Sequence, residues 1–217
     1  MARRGVPLTL DRLEATGSPC ARCLFWELDP VRRDRVAEDE RAEEKQALVS
    51  ERLREWGSCG RVLLVDGVEV AHVLYAPAGH LPGAGAFPTA PAGEDAVLLA
   101  GLWVHPDHRG GGLGRMLVQQ AARDLVGRGV RALEAFGSHG SAPGCAAPAE
   151  FLARVGFRTV RPHPVAPRMR MDLRTALTWR EEVEAALGRL AGVVRPAPAP
   201  APERRVPAVR RDDGDAD

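Results

Sequence analysis

Apolar residues recur along the 217-residue chain at two different spacings, and the switches between them mark its elements. Residues 1–19 are irregular, apart from a short helical turn around Leu10–Ala15. Cys23-Leu24-Phe25-Trp26-Glu27-Leu28 is a compact apolar run, read as a strand that Asp29-Pro30 ends. Residues 34–56 contain no Gly or Pro and are dense in Glu, Arg and Ala. This predicts a helix with Val36, Ala47, Leu48, Leu53 and Trp56 on its inner face, closed by Gly57 and Gly60. Arg61–Val65 and Val68–Tyr75 are β-rich runs with only Asp66-Gly67 between them, a hairpin signal. Residues 76–95, rich in Pro, Gly and Ala, form a long loop, and such loops are often functional.

Ala96–Val104 is almost wholly apolar, as in a strand covered on both faces. After a glycine cluster, Leu113, Leu117, Ala121 and Leu125 recur at the spacing of one helix face, and Gly127 and Gly129 end that helix. Val130–Phe136 reads as the next strand. Pro148 starts a short helix through Val155 with Gly156 as its cap, and short strands come next at Phe157–Arg161 and Arg168–Leu173. Thr175–Leu190 has a helical pattern. From Val193 the chain is Pro-Ala-Pro repeats and then Arg and Asp, too poor in apolar surface to offset the entropy of ordering. The expected organisation is one domain over residues 1–192 and a disordered tail over 193–217.

Composition narrows the classes of partner. Hydrophobic residues make up 45% of the chain, enough for a sizeable core, and the net charge is +1. No basic field invites nucleic acid, and no apolar run is long enough to span a bilayer. The positive start, Met1-Ala2-Arg3-Arg4, has no apolar stretch after it, so the chain is read as cytoplasmic. Cys20, Cys23, Cys59 and Cys145 are then expected to be reduced.

The segment that changes the picture is strand, His105-Pro106-Asp107-His108-Arg109, glycine cluster, helix. A phosphate needs close backbone approach, which glycine allows, and a helix N-terminus offers unpaired N–H groups and a positive dipole end. Arg109 adds a permanent charge. A P-loop would continue Gly-Lys-Ser/Thr, but Arg115 and Met116 come after Gly114. A dinucleotide fingerprint would place a third glycine at Leu117 and begin directly after the strand; Glu134, about twenty residues on, keeps that alternative open.

Arg109-x-x-Gly112-x-Gly114, within Leu102-Trp103-Val104-His105-Pro106-Asp107-His108-Arg109-Gly110-Gly111-Gly112-Leu113-Gly114, resembles the signature of the GNAT superfamily of acyl-CoA-dependent N-acetyltransferases. The resemblance covers roughly residues 60–173, including Phe151-Leu152-Ala153-Arg154-Val155-Gly156-Phe157. It implies an α/β fold: a mixed, mostly antiparallel sheet with a bulged central strand, here 96–104, flanked by helices. It also implies acetyl-CoA as co-substrate, with no metal. The backbone of Leu102, Trp103 and Val104 would pair with pantetheine, and Arg109, Gly110, Gly111, Gly112, Leu113, Gly114 and Arg115 would hold the pyrophosphate. The implied reaction is direct transfer of acetyl to an amine of an unidentified acceptor, and a homodimer is compatible with it.

Transfer requires a base for the protonated amine and an acid for the departing thiolate. Where many members carry a tyrosine acid, this chain has Leu152, and its only tyrosine, Tyr75, lies in another strand. Cys145, Ser141 and His139 are substitutes for the acid by location. Glu94, Asp95 and Glu134 are candidates for a base acting through water. His105 and His108 flank the turn and are read as solvated or phosphate-facing. Cys20-x-x-Cys23 has the spacing of half a zinc site, which Cys59 and Cys145 would complete only if the fold brings them together. Two other readings stand beside the enzyme: a non-catalytic acyl-CoA-binding regulatory protein, and a zinc-stapled interaction module.

Overall fold

The computed structural model describes residues 2–140 and 145–173. Chain contacts separate a compact unit, Met1–Trp179, from a second, Arg180–Asp217. The second unit, the helix expected at Thr175–Leu190 and the tail from Val193 lie outside the described residues.

The elements run β1 (Arg3–Pro7), α1 (Leu10–Ala15), α2 (Pro30–Arg33), α3 (Arg41–Glu55), β2 (Gly60–Val65), β3 (Val68–Pro77) and β4 (Ala96–Val104). Then come α4 (Leu113–Gly127), β5 (Ala132–Ser138), β6 (Ala147–Pro148), α5 (Ala149–Arg154), β7 (Arg158–Arg161) and β8 (Arg168–Asp172). The sheet is ordered β1-β2-β3-β4-β5-β8-β7, with β6 beside β5. Pairing is antiparallel except at β4–β5 and at the short β5–β6 contact. This is the mixed, mostly antiparallel sheet expected.

Alternation along the strands sends side chains to two cores, one on each face of the sheet. Leu63, Val73, Tyr75, Leu99 and Leu133 join Leu117, Ala121 and Leu125 of α4 and Leu152 of α5. Val62, Leu74, Leu98, Ala100 and Phe136 join Leu13 of α1, Val49 of α3 and Trp26. Strands covered on both faces are why 96–104 reads as one apolar run. No helix of the described residues is long and apolar enough to cross a membrane.

Three expectations are corrected. Cys23–Leu28 is a turn rather than a strand: the Leu28 N–H bonds the Leu24 carbonyl at 3.1 Å, and the Gly83 N–H bonds the Trp26 carbonyl. Leu24, Trp26 and Leu28 are nonetheless buried, and Trp26 stacks on Phe87, which stacks on Phe136. The helix expected over 34–56 starts at Arg41; of its expected inner face Leu53 and Trp56 pack against the core and Ala47 is exposed, while its fully buried positions are Lys45, Val49 and Arg52. The cause is Glu27, buried in the turn: Lys45 Nζ lies 2.7 Å and Arg52 Nη1 3.4 Å from its Oε1. A buried carboxylate needs such partners, so the helix turns two cations inward. Residues 1–19 supply a strand, β1, which pairs with β2 at the sheet edge.

Candidate active site

The site opens where β4 and β5 part. Their parallel pairing covers only Ala96–Leu98 against Ala132–Glu134. Past Leu98, β4 keeps β3 on one edge and has no strand on the other among the described residues, while β5 turns to β6 at Gly137 and Ser138. On the β3 side, Val73 pairs with Leu102 and Tyr75 with Leu99, so one residue, Leu74, faces two, Ala100 and Gly101. Such a bulge bends the strand and re-aims the residues beyond it. A cleft of about 680 Å³ lies alongside, with Leu102, Trp103 and Val104 on one wall and Ala146, Pro148 and Phe151 on the other.

The glycine loop closes the end of this cleft. Gly110 and Gly112 have φ of 77° and 83°, and Gly112 is the N-cap residue of α4. A side chain at such a φ costs about 1–2 kcal/mol. At Gly114 the constraint is space, because a Cβ would lie 3.1 Å from the Phe151 ring. No acceptor among the described residues takes the N–H groups of residues 110–115. With the dipole of the 15-residue α4 behind them, they form an anion cradle.

Arginines frame the cradle. Arg109 Nε donates to the Val104 carbonyl at 3.1 Å, tying the loop to the strand end and holding its charge at the cleft. Arg115 Nη2 donates to the Arg154 carbonyl at 3.0 Å, and both side chains line the cleft. Arg3, from β1, donates to the Gly111 carbonyl at 2.8 Å. No carboxylate lines the cleft among the described residues, so its field is positive. Of the expected cofactor residues, Leu102, Trp103, Val104, Arg109, Gly110, Gly112, Leu113, Gly114 and Arg115 line it, and Gly111 does not. Sequence reading missed Phe151 and Arg154; the one signal for them was the small residue Gly114 facing an aromatic in the helix that ends in Gly156-Phe157.

The expected acid–base groups do not converge on the cleft. Glu134 is buried; its Oε1 lies 3.2 Å from Arg170 Nη1, its Oε2 3.6 Å from Arg168 Nε, and it accepts the Gly93 N–H at 3.0 Å. Asp95 pairs with Arg170 at 2.8 Å, a hydrogen bond that holds its carboxyl below the usual range. Glu94 is exposed in the loop before β4. His139 precedes Ser141–Gly144, which are outside the described residues. Leu152 is wholly buried, and Tyr75 donates to Asp124 Oδ2 at 2.8 Å, with burial and that carboxylate pushing its pKa up. Cys145 stands one residue before the cleft wall, its Sγ 3.1 Å from that of Cys23.

Another group emerges only in three dimensions. His72, on β3, is fully buried, pairs in register with Trp103 and stacks on it at 5.9 Å between ring centroids. Neither ring nitrogen meets a hydrogen-bond partner among the described residues. Burial, aided by the Lys45 charge, lowers its pKa to about 3. The described residues contain no group of three or more His, Cys, Asp or Glu side chains arranged to hold a metal.

The fold is shared with known proteins. The fold matches the Thermoplasma acidophilum PaiA N-acetyltransferase, solved with coenzyme A, over 79% of this chain and 99% of that one, with a TM-score of 0.53 and 12% identity. It matches an N-acetyltransferase of Staphylococcus aureus Mu50 over 80% and 99%, with a TM-score of 0.53 and 13% identity. A third likeness is to yncA of Salmonella typhimurium, solved with its cofactor acetyl-CoA: 80% and 95% coverage, TM-score 0.52, 16% identity. No curated protein sequence matches the chain significantly. At the level of sequence, the profile described as the Acetyltransferase (GNAT) family matches residues 22–157, well over half the chain. The chain therefore belongs to the GNAT family of acetyltransferases.

Proposed function

We propose that the protein binds acetyl-CoA in the cleft between β4 and β5 and passes the acetyl group directly to an amine of an acceptor. The observation that carries this reading is an edge of β4 that, among the described residues, is free past Leu98 and runs into six N–H groups of the glycine loop with no partner. An extended pantetheine arm would add to that edge as a strand does, through the backbone of Leu102 and Val104. The diphosphate would take the N–H groups of residues 110–115, with Arg109, Arg115 and Arg154 supplying charge. Acetyl-CoA supplies the activated thioester. The neutral amine attacks its carbonyl carbon, the C–S bond breaks, and the amine's proton leaves to a base while the thiolate gains one. The described side chains in the cleft include no carboxylate, so water at the cleft mouth carries the amine proton in this reading.

Leu152 favours a second reading, a non-catalytic acyl-CoA-binding regulatory protein, since the position expected to hold a proton donor is sealed in the core. Thiol release from acetyl-CoA, followed with a panel of amines, peptides and aminoglycosides, separates the two. Transfer predicts acceptor-dependent release well above the hydrolysis background with at least one class. Tight binding without acceptor-dependent release across the panel would favour the regulator.

A further inference from the structure

A second recess, about 620 Å³ and open to solvent, lies outside the cleft. Cys23 and Cys145 line it together, both half-buried. Their sulfurs are 3.1 Å apart, although the two residues lie 122 positions apart in the chain. We propose that Cys23 and Cys145 form a dithiol site that reacts reversibly with anionic low-molecular-weight disulfides. The inference is independent of the acyl-transfer reading.

Geometry makes the pair reactive as a unit. A disulfide needs the sulfurs at about 2.05 Å, so closing the bond takes a movement of about 1 Å. Both residues sit in irregular backbone, Cys23 just before the turn at Phe25 and Cys145 in a turn, where such a movement is easily absorbed. Cys23 is the attacking member. Its thiol is brought down, first by the hydrogen bond with Cys145 and further by the Phe25 N–H and the Lys45 ammonium. Lys45 Nζ also donates to the Cys23 carbonyl at 3.0 Å, which fixes that charge beside it. The shared hydrogen bond and burial push Cys145 the other way, so it keeps its proton until it resolves the intermediate. Cys20 is the control within the same loop, because burial raises its thiol.

The rim selects the reagent. Among the described residues, Arg22, Arg33 and Arg41 line the recess with one carboxylate, Glu38, which lies 2.9 Å from Arg41 and 3.7 Å from Arg22; Arg33 also lies 3.8 Å from Asp34, outside the lining. That leaves net positive charge around the thiols and favours a reagent carrying carboxylates or phosphates. In the first step the Cys23 thiolate attacks one sulfur of R–S–S–R, forming a mixed disulfide and releasing one thiolate, which takes a proton to become RSH. Cys145 then loses its proton and attacks Cys23 Sγ, displacing the second RSH. The two protein thiols give up two electrons in total, and the small disulfide is reduced to two thiols.

The test uses the full chain and oxidised glutathione as the probe, with alkylation of the remaining thiols and peptide mapping. The expected result is loss of two of the four thiols, one Cys23–Cys145 cross-linked peptide, and recovery with dithiothreitol. The Cys145→Ser variant should stop at a glutathione adduct on Cys23, and Cys20→Ser should cross-link like the parent. A neutral reagent, hydroxyethyl disulfide, should react about tenfold more slowly at low salt. Four surviving thiols, or a link joining Cys20 to Cys23 instead, would overturn the proposal. Equal rates with the two reagents would remove the arginine rim from it.

Discussion

His72 is the residue whose behaviour departs most from its type. An exposed histidine takes a proton near pH 6.5, but in the folded chain burial holds this one down to about 3. Between those values the unfolded chain binds the proton and the folded one does not. Stability is therefore full above pH 6.5 and is lost as the pH falls through the window towards 3, by up to about 1.4 kcal/mol per pH unit for this group. Urea unfolding at several pH values should show a steeper loss for the parent than for His72→Leu; parallel curves would contradict it. Glu134 is a second case. Its contacts with Arg168, Arg170 and the Gly93 N–H predict that Arg170→Ala costs about 2–3 kcal/mol of stability, read from denaturant midpoints. Glu134→Gln should likewise lower stability while leaving turnover per folded molecule unchanged. A large drop in turnover of fully folded Glu134→Gln would return this residue to the list of bases.

At the scale of elements, the parts legible in the sequence were those with one dominant cause. The apolar run of β4, the Asp66-Gly67 turn and the four-residue period of α4 each appear where expected, because burial on two faces, a tight turn and one covered stripe leave distinct patterns. Cys23–Leu28 misled for a physical reason. It buries Leu24, Trp26 and Leu28 as a strand would, but Glu27 is buried with them, its backbone bonds locally and Trp26 joins an aromatic cluster with Phe87 and Phe136. The inner face of α3 was legible at Leu53 and Trp56 but hidden at Lys45 and Arg52, which read as solvent-facing until Glu27 is placed beneath them. That triad predicts that Lys45→Met costs about 3 kcal/mol, because it strips a buried carboxylate of its nearest partner. The change should also loosen the turn, seen as faster hydrogen exchange at Leu24–Leu28. Unchanged stability would mean that Arg52 alone satisfies Glu27.

For the whole molecule, the cradle was readable from local spacing, while the cleft depends on distant pieces. The glycines, Arg109 and α4 are contiguous, so their motif survives in one dimension. Phe151 and Arg154 arrive from α5, about 40 residues further on, and Arg3 comes from the opposite end of the sheet. The pairing of Cys23 with Cys145 has no local signature at all, since it depends on the sheet bringing two loops together. The anion cradle is thus built from a local motif, and the rest of the cleft from distant segments. The measurement closest to the central claim is calorimetric titration of the parent and Gly112→Glu with acetyl-CoA, after circular dichroism has shown both to be folded. The cleft between β4 and β5 predicts one-to-one binding by the parent and none by the variant, whose carboxylate would occupy the anion cradle. Absence of binding by the parent, or equal affinity in the two proteins, would contradict it.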